Sequence, residues 1–85
     1  MKSGIVAGKK GEEPRMFVGG LFPETSSEIV HKYFEKFGPV KEVKIIGEKQ
    51  KRSRGFGFVL FQYFDTLNLV MSLKHVIAGR DVDIN

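Results

Sequence analysis

Residues 54–61 read Arg54-Gly55-Phe56-Gly57-Phe58-Val59-Leu60-Phe61, three phenylalanines in eight positions with a cation at the head. A fourth ring, Phe17, stands in Met16-Phe17-Val18-Gly19-Gly20-Leu21. Cations gather between the two stretches: Lys49, Lys51, Arg52 and Arg54 fall within a few residues, opposed locally by Glu48, with Lys41 and Lys44 just upstream. Flat rings among cations suit one chemistry that makes no bond, the stacking of unpaired heterocycles whose phosphate chain the cations attract. A plainer reading stands beside it, in which the rings are buried core and the cations line a solvated loop.

Other chemistries find no support. The 85 residues contain no cysteine, which removes disulfides, thiolate zinc sites, iron–sulfur clusters and thiol nucleophiles together. His31 and His75 lack partners at metal-ligand spacing and read as surface or structural residues. Gly4-Ile5-Val6-Ala7-Gly8-Lys9 is one residue short of a phosphate-binding loop and follows no strand. Paired carboxylates on a cleft and a nucleophile–base pair are both missing, so the expectation is no enzyme, no cofactor and no metal. The chain holds 41% hydrophobic and 28% charged residues, which places it among globular rather than disordered sequences. Without a ~20-residue apolar run or a signal pattern, it reads as a soluble, intracellular protein that makes no use of a membrane.

Residues 1–14 carry three glycines and several charges and read as a flexible tail; 15–85 read as one domain. Met16-Phe17-Val18 is a short strand closed by Gly19-Gly20. Thr25-Ser26-Ser27-Glu28 fits a capping box with Thr25 as the cap, and predicts a helix to about Phe37, where Gly38-Pro39 stop it. Val40 to Ile46 alternates as a second strand, Gly47 to Ser53 is a basic loop, and Arg54 to Phe61 is a third strand. A helix from about Phe64 to Leu73 follows, with Leu67, Val70 and Met71 inward, although Tyr63 makes a poor cap. Ala78-Gly79 then turns the chain into a last strand, Asp81 to Ile84. This order predicts an α+β, ferredoxin-like βαββαβ fold, a four-stranded antiparallel sheet with both helices on one face.

The other face of such a sheet is open, and alternation says what lies there. Arg54, Phe56, Phe58 and Leu60 share one side of the third strand, while Gly55, Gly57, Val59 and Phe61 share the other. Taken alone this strand leaves the choice open. In the first strand Met16 and Val18 oppose Arg15 and Phe17, and in the second Val43 and Ile45 oppose Glu42, Lys44 and Ile46. If the charged sides are coplanar, Phe17, Phe56 and Phe58 face water among Arg15, Lys44 and Arg54. The glycines Gly55 and Gly57 then face the helices, allowing close packing. An exposed aromatic cluster of this kind implies a partner.

Residues 54–61 resemble the RNP1 octapeptide of RNA-recognition motifs at every position, and residues 16–21 resemble the RNP2 hexapeptide. Phe17-Val18-Gly19-Gly20-Leu21, Lys51-Arg52-Ser53-Arg54 and His75-Val76-Ile77-Ala78-Gly79-Arg80 are similar to the heterogeneous nuclear ribonucleoprotein A/B and Musashi branch. The resemblance implies a monomeric module for single-stranded RNA, with single-stranded DNA as a second ligand, in the nucleus and/or cytoplasm as part of a larger RNA-processing or post-transcriptional regulatory protein. It implies that Phe17 and Phe58 each stack a base, that Phe56 lies on the riboses between them and that Ile46 packs on a base. Arg15, Lys44, Arg52 and Arg54 would meet RNA through their charge. Members of the branch continue past the last strand with basic residues, whereas this sequence stops at Asn85, so a domain excised from a longer chain is expected. The competing function is a protein-binding patch on the helical side, built from Ile29, Tyr33, Leu69 and Leu73.

Overall fold

The structure, a computed structural model, describes residues 13–46 and 55–85. Seven elements follow in order: β1 (Arg15–Gly19), α1 (Ser27–Glu35), β2 (Val40–Ile45), β3 (Gly57–Phe61), α2 (Phe64–Met71), β4 (His75–Ile77) and β5 (Arg80–Ile84). The strands form one sheet in the order β2-β3-β1-β5-β4, every neighbouring pair antiparallel. Met16, Val18, Ile45, Val59, Phe61 and Val82 are buried together with Val30 and Phe34 of α1 and Leu67 and Val70 of α2. Both helices therefore cover the same face of the sheet, as alternation predicts.

Two differences from the sequence reading concern helix ends. The cap of α1 is Ser26, whose Oγ accepts from the Ile29 amide at 3.3 Å, and not Thr25, which is buried. The helix stops at Glu35 rather than Phe37, because the amides of Phe37 and Gly38 turn back to the carbonyls of Phe34 and Glu35, tightening the last turn. At the start of α2, Tyr63 makes no side-chain cap bond.

The sheet has five strands where four were expected. His75–Ile77 pairs with Arg80–Ile84 across the two-residue loop Ala78-Gly79, both residues at positive φ (55° and 81°), which is the type I′ hairpin geometry. A three-residue strand is too short to show alternation, so the sequence yielded the turn and the strand after it, but not the one before. In β2, Val40 pairs with Phe61 and Glu42 with Leu60, leaving Lys41 as an extra, bulged residue. This lets Val40 and Val43, three residues apart, both face the helices.

The glycines of the octapeptide do a different job from the one expected. The atoms nearest to a Cβ on Gly57 belong to β2 and not to a helix; it would overlap the Lys44 carbonyl and lie 2.8 Å from the Ile45 Cα. The close approach is between β3 and the backbone of β2. Gly55 precedes the strand at φ 79°, where its carbonyl accepts from the Leu21 amide.

His75 ties the helical layer together. It is buried, with Nε2 2.9 Å from the Val70 carbonyl and Nδ1 2.8 Å from the Tyr33 hydroxyl. A carbonyl only accepts, so Nε2 carries a proton, and in the neutral ring Nδ1 accepts from Tyr33. One imidazole thus adds a side-chain donor to a carbonyl at the end of α2, which also accepts from the Leu73 amide, and joins it to α1.

Candidate nucleic-acid interface

The open face is built from three rows of residues crossing the strands. Lys44, Phe58 and Phe17 are successive cross-strand partners from β2 through β3 to β1. Asn85 extends this row, exchanging two 3.0 Å backbone hydrogen bonds with Phe17. In the row on one side, the Ile46 amide donates to the Phe56 carbonyl, and Gly19 pairs with Asp83. In the row on the other side, Glu42, Leu60 and Arg15 are partners. Neighbouring strands lie about 4.8 Å apart, so side chains in one row stand within reach of each other.

The rings occupy this lattice as expected, but unequally. Phe17 is 44% exposed, whereas Phe56 and Phe58 are each partly covered. The Phe17 ring leans toward Phe56, with centroids 5.8 Å apart and planes at 34°, across the space that the missing side chain of Gly19 leaves open. Phe58 carries the Arg15 guanidinium over its ring, 4.7 Å from the centroid. Arg15 in turn is paired with Glu13 at 2.9 Å. Leu60 shares the face of these rings yet is buried, which alternation alone does not indicate. It lies between Arg15 and Glu42 and stands apart from the helical-side core.

Of the predicted site residues, the fold brings Arg15, Phe17, Lys44, Phe56 and Phe58 together on one face, with Ile46 at its margin and half-buried. Arg52 and Arg54 lie outside the described residues. Sequence reasoning missed three neighbours. Glu13 was assigned to the tail, yet Pro14 beside it is buried and its carbonyl accepts from the Phe61 amide at 2.8 Å. Asp81 and Asp83 alternate with the inward Val82 and Ile84, so β5 puts acid on the flank of the face opposite Lys44. That alternation was readable in Asp81-Val82-Asp83-Ile84. Among the described residues no cluster of three or more His, Asp or Glu is placed to hold a metal, and no helix is long and apolar enough to cross a membrane.

On the helical side Ile29, Leu69 and Leu73 are exposed, but Tyr33 is half-buried and engaged with His75. The second candidate surface therefore loses its aromatic member.

Comparison with known proteins bears on this geometry. A family model described as the RNA recognition motif matches residues 16–76. The chain belongs to the RNA recognition motif family. Among relatives of this RNA recognition motif, nuclear polyadenylated RNA-binding protein 4 of Saccharomyces cerevisiae is 36% identical over 73 residues, 85% of the chain. Heterogeneous nuclear ribonucleoprotein 1 of Arabidopsis thaliana is 39% identical over 72 residues, 82% of the chain, and RNA-binding protein squid of Drosophila melanogaster 39% over 77, 88% of the chain. The chain spans 14%, 18% and 22% of the lengths of these three proteins. The solved RNA-binding domain of Hrp1 in complex with RNA is similar over 86% of this chain and 44% of that one, with a TM-score of 0.79 and 34% identity. The relatives support the heterogeneous nuclear ribonucleoprotein-like branch.

Proposed function

We propose that this RNA recognition motif binds single-stranded RNA by stacking bases on its open sheet face, with Phe17 and Phe58 each receiving a base. The observation that carries this reading is the row Lys44–Phe58–Phe17: two rings and a cation held side by side by the β-ladder on the face the helices leave uncovered. Rigid strands fix the ring positions, so the ordering cost of the platform is met by folding and not by binding. Phe56 lies on the riboses between the two stacked bases, and Ile46 packs on a base at the margin. Arg15, Lys44, Arg52 and Arg54 meet the phosphate chain. The domain acts as a binder and not a catalyst, and serves as one module of a larger RNA-processing or regulatory protein in the nucleus and/or cytoplasm. The names of the relatives, polyadenylated RNA-binding and heterogeneous nuclear ribonucleoprotein among them, support that assignment.

Fluorescence anisotropy of a labelled pool of short single-stranded RNA provides the test. Phe58→Ala should weaken binding by about 1–3 kcal/mol, the range for loss of one base–aromatic stack, while the melting transition is retained. Four cation contacts predict a slope of about −3 in log affinity against log salt concentration. Equal affinity of the wild type and Phe58→Ala refutes stacking on this face.

A further inference from the structure

The Phe58 ring is already occupied in the free protein. Arg15 lies over it at 4.7 Å, the position a stacked base would take, and the Glu13 carboxylate pairs with the guanidinium at 2.9 Å. Both members of the ion pair are about half exposed, so the contact is open to competition from solvent and ligand.

Local structure explains how Glu13 reaches Arg15. The Arg15 amide bonds back to the Glu13 carbonyl at 2.8 Å, an i→i+2 turn centred on Pro14, whose ring-locked φ suits an inverse γ-turn. The Pro14 carbonyl is pinned by the Phe61 amide, which anchors the turn to the end of β3. The Glu13 backbone is thereby held where its side chain reaches the Arg15 head.

We propose that Glu13 is a latch that tunes RNA affinity by holding Arg15 on Phe58. For a base to stack on Phe58, the guanidinium leaves the ring; an RNA phosphate then competes with the Glu13 carboxylate for the same cation. Glu13 is thus a positioning residue that acts through Arg15, and it opposes binding. The inference rests on the RNA-binding reading above.

A double-mutant cycle tests it, using wild type, Glu13→Gln, Arg15→Ala and the double variant, each checked by thermal melting and titrated with a fluorescein-labelled pool of short single-stranded RNA. Glu13→Gln should tighten binding by about two- to fivefold, the span of an exposed ion pair, and should have no effect once Arg15 is alanine. In the free protein, Arg15→Ala should shift the Phe58 ring-proton resonances, and Glu13→Gln should shift them in the same direction by less. An equal gain from Glu13→Gln with and without Arg15 would mean general charge repulsion and overturn the latch, as would no gain, or Phe58 resonances unmoved in both variants. A folded wild type that fails to bind the pool overturns the RNA-binding reading itself, and the latch with it.

Discussion

Replacing Gly57 with alanine probes the placement of the rings from beneath. The added Cβ would overlap the Lys44 carbonyl and come within 2.8 Å of the Ile45 Cα, and both are backbone atoms that no rotamer change can move. Relief requires β2 to shift away from β3 across the pairs Lys44↔Phe58 and Ile45↔Gly57. Overpacking of this kind costs about 1–3 kcal/mol, and each ladder hydrogen bond that lengthens forfeits about 1 kcal/mol more, giving about 2–4 kcal/mol in all. A chain of 85 residues is stable by roughly 4–13 kcal/mol, so the loss is a large share of the total. At about 4–8 °C per kcal/mol the melting temperature should fall by roughly 8–32 °C, followed by circular dichroism and by urea titration. The same shift carries Lys44 away from Phe58, so RNA affinity should fall even where the variant is fully folded. A loss below about 0.5 kcal/mol, the scatter of neutral surface changes, would refute the claim that strand-to-strand contact dictates this glycine.

Three further substitutions address the frame around the platform. Ala78→Asn should raise stability by about 0.5–1 kcal/mol in chemical denaturation, because asparagine tolerates the positive φ that alanine occupies at a cost in the hairpin loop. His75→Leu should lower stability by about 1–3 kcal/mol, since the Tyr33 hydroxyl loses its partner and the Val70 carbonyl is left with backbone donors alone; urea unfolding measures it. Ser26→Ala should lower stability by about 0.5–1 kcal/mol, visible in the thermal midpoint, whereas a Thr25→Ser change leaves the cap in place.

The sequence revealed the sheet face because alternation is a local property: once Phe17 and Phe58 are known to lie on the charged side of their strands, antiparallel pairing brings them together. What it could not give depends on how neighbouring strands meet. Gly57 reads as a notch for a helix until the β2 backbone is seen beside it. Thr25, Ser26 and Ser27 offer three hydroxyls in a row, and only the entry angle of the chain selects the middle one. Leu60 has the alternation of an exposed residue and the burial of a core one, because its cross-strand neighbours are long side chains. Arg15 was legible as a cation of the face, but its seat on Phe58 depends on a turn at Pro14 that lies before the first predicted strand.

The spare residue at Lys41 makes the start of β2 a joint whose length can change without turning the strand over. Excising Lys41 would leave Val40 opposite Phe61 and Lys44 opposite Phe58, because every later pairing is already in step. Excising Val43 would instead draw Lys41 into line with Leu60 and Glu42 into line with Val59, driving a carboxylate into the apolar layer beneath α1. A one-residue gap is therefore harmless at the first position and ruinous two places further along, and the cation stays meshed with its ring so long as the slack is taken up at the joint.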